Sequence, residues 1–214
     1  MRFTVFGATG GTGRQLVQQA LDAGHEVTAV VRDPARLPVK QETSARLEVV
    51  TAGVTDPEAL VPAVRGRDAV LSALGAPSNK GAGIASAGTR AIVAAMKEGG
   101  VRRYVGVSAA PVVAWGEGET LLFRTVAVPL VRRVFRQVYA DLAVMEDVVR
   151  ASGLDWTLVR PPKLTDAAAK GTYRQVTGGN VPRGHSVPRA DLAAAILAMV
   201  EDPATVGQGI GVAS

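Results

Sequence analysis

The chain predicts a single α/β domain of the Rossmann type, a doubly wound parallel sheet with strand order 3-2-1-4-5-6. Three observations predict it. Apolar, β-branched runs alternate with helical patterns along most of the 214 residues, which indicates a parallel sheet with helices on both faces. The opening unit is strand, glycine turn, helix: Arg2-Phe3-Thr4-Val5-Phe6, then Gly7-Ala8-Thr9-Gly10-Gly11-Thr12-Gly13, then Arg14-Gln15-Leu16-Val17-Gln18-Gln19-Ala20-Leu21. The length suits one domain, residues 1–214, rather than two.

The elements follow in order. Gly24 ends the first helix, and Glu26-Val27-Thr28-Ala29-Val30-Val31 is a second strand by its β-branched content. Residues 46–51 read as the third strand. A helix follows through Val64, with Asp56 as its cap and Pro57 in its first helical position. Residues 68–74 form the fourth strand, and residues 85–98 an alanine-rich helix stopped by Gly99-Gly100. The fifth strand is 103–108 and the sixth 155–160, the latter halted by Pro161-Pro162. A last helix starts near Arg189 and runs to about Glu201, and residues 209–213 can add a seventh strand at the edge. No internal repeat or low-complexity tract interrupts the series.

The glycine spacing carries chemistry. Gly7 lets the chain turn sharply, Gly10 lets a diphosphate approach the backbone, and Gly13 lets the helix pack against the sheet. The helix start then offers free N–H groups and partial positive charge, with Gly11, Thr9 and Thr12 beside them. A dinucleotide site is expected there. An NAD-specific site usually places Asp or Glu at the tip of the second strand. Here Val31 is followed by Arg32, and Arg36 lies one turn further on. A guanidinium can grip a 2′-phosphate through two parallel hydrogen bonds, so NADP(H) is expected over NAD(H). The alternative leaves Arg32 and Arg36 as solvated loop charges, with Asp33 free to reach a ribose hydroxyl.

Composition removes several classes of function. The absence of cysteine excludes disulfides and thiolate metal sites, and two isolated histidines argue against a metal centre. No apolar run approaches the roughly 18 residues needed to cross a bilayer. Strand and glycine turn already occupy the N-terminus, so no secretory signal is expected there and a cytoplasmic location is the default. The net charge of +5 comes from dispersed arginines, with no stripe interleaved with aromatics, so nucleic acid is not an expected partner. Attraction of anionic small molecules explains the sign equally well.

Two stretches break the alternation. Residues 111–138 hold Trp115 and the apolar-basic run from Leu121-Leu122-Phe123-Arg124 to Arg136, and residues 163–188 are rich in glycine and proline. Both follow strand ends, where ligands bind in open α/β sheets, so both are candidate walls of a substrate pocket. The first can equally be a surface helix or a dimer contact, which leaves monomer and homodimer both open.

The glycine turn, Val30-Val31-Arg32-Asp33, Ser108-Ala109, Tyr139-Ala140-Asp141-Leu142 with Met145-Glu146, the run from Ser152 through Trp156 to Pro161-Pro162, and Ser186-Val187-Pro188-Arg189-Ala190-Asp191 together carry a resemblance. They are similar to the atypical short-chain dehydrogenase/reductases, in the NAD(P)H-binding (NmrA-like) subgroup that includes biliverdin reductase B, also called flavin reductase. The resemblance covers nearly the whole chain. It implies cofactor across the first glycine turn, Arg32 on the adenosine phosphate, Ala73-Leu74-Gly75 along the ribose, and Pro161-Pro162-Lys163 near the nicotinamide. Many such relatives carry an acidic residue after strand three, where this chain has Gly53, so an adenine contact must come from backbone or Val54. Flavin and biliverdin reductase relatives have histidines at the positions of Lys163 and Glu146, and these departures count against a tetrapyrrole substrate.

The usual acid of short-chain dehydrogenases is a tyrosine whose phenol, near 10 unperturbed, is lowered by a lysine four residues later. Here Tyr139 is followed at that spacing by Ala143, Tyr104 by Ser108 and Tyr173 by Thr177. The pair is absent. Hydride transfer to a flat conjugated acceptor, flavin- or quinone-like, needs no such acid, because the reduced anion is delocalised. Ser108, at the end of strand five, is the first candidate for contact with the acceptor and also for contact with the cofactor. Lys163 could hold an anionic group or the nicotinamide amide, and Tyr139 is a further candidate. The competing functions are a cofactor-binding sensor that does no chemistry and an epimerase- or dehydratase-like enzyme using bound cofactor.

Overall fold

The first strand to leave the N-terminus ends up inside the sheet. The computed structural model describes residues 1–37, 44–76, 78–113, 125 and 128–214. β1 (Arg2–Phe6) pairs with β2 (Glu26–Val31) on one side and β4 (Ala69–Ser72) on the other, both parallel. β3 (Leu47–Thr51) flanks β2, and β5 (Arg103–Val107) and β6 (Asp155–Arg160) extend the other side in parallel. The order β3-β2-β1-β4-β5-β6 is the one expected. The chain leaves the carboxyl ends of β1 and β4 toward opposite faces of the sheet, at the point where strand order reverses, and a crevice opens there.

Beyond β6 the sheet differs from expectation. β10 (Gln208–Ala213) is the seventh strand, but it is not the edge. It pairs parallel with β6 and antiparallel with β8 (Arg174–Thr177), which closes the sheet as an eighth strand. β8 is mostly exposed and polar, as an edge strand should be. Two short strands, β7 (Lys163–Thr165) and β9 (Ser186–Pro188), pair parallel in a separate ribbon. The stretch 163–188 is therefore strands and turns folded onto the main sheet.

Side-chain alternation along β1 sends Phe3 and Val5 to one face and Phe6 to the other. On the first face they meet Leu16, Val17 and Ala20 of α1 (Gly11–Asp22) and Leu192 and Ile196 of α6 (Arg189–Glu201). On the second, Phe6 joins Leu60 of α2 (Pro57–Val64), Ile92 and Met96 of α3 (Ile84–Gly99), and Leu142 and Met145 of α5 (Arg136–Arg150). Full burial of one such side chain contributes about 1.5–3 kcal/mol. Thr4, buried between these layers, donates its hydroxyl to the Ala63 carbonyl at 2.6 Å.

Helix starts are treated in two ways. Asp56 caps α2 by accepting from the Ala59 amide at 3.3 Å, as its sequence position predicts. α3 is capped from a distance: buried Asp141 of α5 accepts from the Ala85 and Ser86 amides, each at 3.0 Å. Burial pushes the Asp141 carboxyl up, but these hydrogen bonds outweigh it and hold the group below the usual carboxylate range. α1 receives neither device. Its N-cap is Gly10, no side chain caps it, and its first turn has no acidic residue. The donors facing the crevice are left for something else.

Candidate functional site: a dinucleotide cleft

Two glycines shape the turn between β1 and α1. Gly7 has φ +72°, and a Cβ there would sit 2.6 Å from the Ala73 carbonyl oxygen of the neighbouring strand. A Cβ on Gly13 would overlap the Gly7 carbonyl oxygen, so the helix closes onto its own turn. Backbone cannot yield as a flexible side chain can. Gly13→Ala is therefore expected to cost about 1–3 kcal/mol of stability and to displace the turn. Urea unfolding and nucleotide titration of that variant measure both effects. Arg14 braces the same turn from outside, donating Nε to the Thr9 carbonyl at 3.0 Å and Nη2 to the Arg36 carbonyl at 3.1 Å.

A cleft of about 800 Å³ opens over this turn. Gly7, Thr9, Gly10, Gly11, Thr12, Arg32, Arg36, Val54, Ala73, Leu74 and Gly75 all line it. So do residues that the sequence did not mark as cofactor contacts: Val30, Val31, Ala76, Gly81, Ile84, Leu164 and Arg189. The cleft runs from the exposed Arg32 and Arg36 at the end of β2, past the α1 N-terminus, to Leu164 of β7. Asp33 Oδ1 accepts from the Ala35 amide at 3.1 Å and caps the short 3-10 turn Pro34–Arg36, so this carboxylate is engaged locally. Gly53 has open space around its Cα, and Val54 supplies the wall there. Uncapped amides, a glycine cradle and a basic end match the shape and charge of a nicotinamide dinucleotide.

The residues expected around the acceptor lie outside the cleft lining. Ser108, at the end of β5, is buried, and its hydroxyl donates to Glu146 Oε1 at 2.6 Å. Glu146 is fully buried. Arg160 at the end of β6 grips it with two hydrogen bonds, Nε to Oε1 at 2.9 Å and Nη2 to Oε2 at 2.8 Å. Arg150, one turn along α5, reaches the same carboxylate. Burial alone would raise the Glu146 carboxyl. The hydrogen bonds from Arg160 and Ser108 and the two positive charges prevail, and hold it below its ordinary range. Glu146 is a structural anion that spends the Ser108 proton.

Tyr139 of α5 is half-buried, with Phe135 edge-on at a centroid distance of 6.1 Å. Burial pushes its phenol up, the opposite of what an acid catalyst needs. Tyr104 is sealed in the core, where burial raises it despite hydrogen bonds with Ser72 and Thr89. Pro161 accepts from the Ala110 amide at 2.8 Å, which ties the loop after β5 to the end of β6, and Pro162 follows it. Lys163 is exposed on β7, whose next residue, Leu164, faces the cleft.

Of the stretch 111–138, Trp115 and the run Leu121-Leu122-Phe123-Arg124 lie outside the described residues. The described part includes α4 (Val128–Val134), which exposes Leu130, Val131 and Val134. Arg132 donates to the Pro111 and Val113 carbonyls, each at 2.9 Å. Asn79, in the loop after β4, donates to the Val134 carbonyl at 2.6 Å. No described residue of this stretch lines the cleft. Among the described residues there is no group of three or more metal-ligating side chains and no helix long and apolar enough to cross a membrane.

Comparison with known proteins agrees with this geometry. A solved short-chain dehydrogenase/reductase from Veillonella parvula DSM 2008, in complex with NADP, shares the fold at TM-score 0.80 and 22% identity, covering 100% of this chain and 94% of that one. ChuY, an anaerobilin reductase from Escherichia coli O157:H7, superposes at TM-score 0.79 and 22% identity, covering 100% and 97%. In sequence, the photosystem II assembly factor Ycf39 of Synechocystis is 33% identical over 108 residues, which are 49% of this chain. The match spans only 32% of that longer protein. The model of the NAD(P)H-binding family matches residues 7–203, glycine turn and final helix included, and the chain belongs to that family.

Proposed function

We propose that the protein is an NADPH-dependent reductase that delivers hydride to a flat conjugated acceptor, flavin- or quinone-like. The observation that carries this reading is a dinucleotide-shaped cleft in a chain without the tyrosine–lysine acid. An acceptor whose reduced form is a delocalised anion takes its proton from water and needs no such donor. When bound, the nicotinamide supplies the hydride, and the protein supplies position and exclusion of competing reactions. The α1 amides and threonines Thr9 and Thr12 hold the diphosphate, and Arg32 and Arg36 hold the 2′-phosphate. Arg32 and Arg36 line that end of the cleft and Asp33 does not, which favours the phosphorylated coenzyme. Ser108, fixed by Glu146, contacts the acceptor or the nicotinamide amide through its lone pairs. Tyr139 stays a neutral phenol, Pro161 and Pro162 bound the nicotinamide side, and Lys163 stands at the rim to meet an anionic substituent.

The test is to mix protein and NADPH with FMN, menadione or biliverdin in turn and follow loss of the reduced-nicotinamide absorbance. Turnover of at least one is expected, with biliverdin the poorest. A second reading, a cofactor-binding protein that does no chemistry, draws support from the missing acid and from the assembly-factor relative. Tight NADPH binding with no turnover across the panel would establish it instead.

A further inference from the structure

The geometry points to Arg189 as a clamp for the dinucleotide's diphosphate, parked on Asp166 until the anion arrives. This rests on the cofactor reading above and adds a residue that the glycine motif does not contain. Arg189 is the first residue of α6, which lies against α1 and is tied to it by Gln19 Nε2 donating to the Ala190 carbonyl at 2.9 Å. From there its side chain crosses the N-terminal end of α1. A Cβ on Gly11 would stand 2.6 Å from both Cδ and Nε of Arg189, so the stem and guanidinium lie directly on the first turn. Arg189 lines the cleft with Gly10, Gly11 and Thr12.

The electrostatics of this placement are unfavourable without an anion. The start of a helix carries partial positive charge, which repels a cation and attracts an anion. Arg189 lies over the α1 end, which has no acidic residue in its first turn, whereas Asp191 answers the start of α6. The charge that relieves it is Asp166, whose Oδ1 accepts from Nη1 at 2.7 Å. Asp166 is 89% exposed while the Arg189 side chain is 27% exposed, so the carboxylate stands in water and holds weakly. One ion pair also uses one of the five donors of a guanidinium. A diphosphate on the α1 amides brings two negative charges to the same place and can take the remaining donors in fork geometry. The guanidinium then exchanges an exposed carboxylate for a partly enclosed phosphate.

Calorimetric titration with NADPH, NADH and adenosine 2′-monophosphate separates this role from others. Arg189→Gln is expected to raise Kd for NADPH and NADH alike, by about tenfold, the loss of one charge-assisted contact. It should leave adenosine 2′-monophosphate, which lacks the diphosphate, unchanged. Asp166→Asn changes a solvent-exposed side chain and poses no risk to folding. It should tighten both dinucleotides by about two- to threefold, because the competitor for Arg189 is gone. The clamp is overturned if Arg189→Gln leaves both dinucleotides unaffected, if it weakens the monophosphate equally, or if Asp166→Asn weakens binding. In each of those cases wild-type protein still binds NADPH and the cofactor reading stands. Wild type that binds neither dinucleotide removes both.

Discussion

Glu146→Ala should destabilise the protein by about 3–5 kcal/mol, the largest loss expected of any single side chain at the site. The cost arises from what is left behind. Arg160 has only 6% of its side chain exposed, and without Glu146 its charge is stranded between α5 and β6. Ser108 also loses the acceptor for its hydroxyl. Arg150 is 40% exposed and can turn to water, so it adds little to the penalty. The pair itself need not be a net stabiliser: Glu146→Met combined with Arg160→Leu should recover most of the loss. The pH dependence has a definite sign. Glu146 titrates lower in the folded protein than its ordinary 4.5, so its contribution is complete above that value and fades as pH falls through the folded one. Glu146→Gln cannot titrate, and the stability gap between it and wild type should narrow on going from neutral pH to below about 4. Urea unfolding at both pH values measures this. A gap that stays constant with pH, or an alanine variant within 1 kcal/mol of wild type, would refute the account of Glu146 as a buried, ionised anchor.

That network marks where sequence reasoning stops. The spacing of Gly7, Gly10 and Gly13 is a local pattern with a local cause, so turn, helix start and strand order were legible in it. Arg32 was legible for a related reason, since it stands just beyond a strand that the alternation itself locates, whereas Val54 was implied only by the family resemblance. Glu146 and Arg160 lie 14 residues apart on a helix and a strand, and the side of α5 that meets β6 cannot be read from either run alone. Asp141 serves the start of a helix 55 residues earlier, which no local rule anticipates. β7 and β9 have three residues each, too few to show a period of two, and β8 is polar because it is an edge. The position of β10 inside the sheet follows from that unseen edge strand. Arg189 looks like an ordinary helix start in sequence, and only the packing of α6 on α1 brings it over Gly11.

Arg32→Glu should raise Kd for NADPH by at least about 100-fold, or 2.7 kcal/mol, while changing NADH by less than about fivefold. Arg32 immediately follows the last residue of β2, is exposed, and lines the end of the cleft to which the proposed function assigns the 2′-phosphate. A charge-assisted hydrogen bond contributes about 1.5–3 kcal/mol, and a guanidinium can make two of them to one phosphate. A carboxylate removes that contact and adds repulsion toward a dianionic 2′-phosphate, whereas the 2′-hydroxyl of NADH can donate to it. Preference should therefore invert. Arg36→Glu should move the same way but less, because Arg36 stands at the end of the Pro34–Arg36 turn and not at the strand tip. Asp33 cannot restore the lost selectivity, since a second carboxylate only adds to the repulsion of a 2′-phosphate. The check is paired titration of wild type and both variants with the two reduced coenzymes. Equal losses for NADPH and NADH would mean the substitution had damaged the loop. Tighter binding of NADH by wild type would mean that Arg32 does not read the phosphate at all.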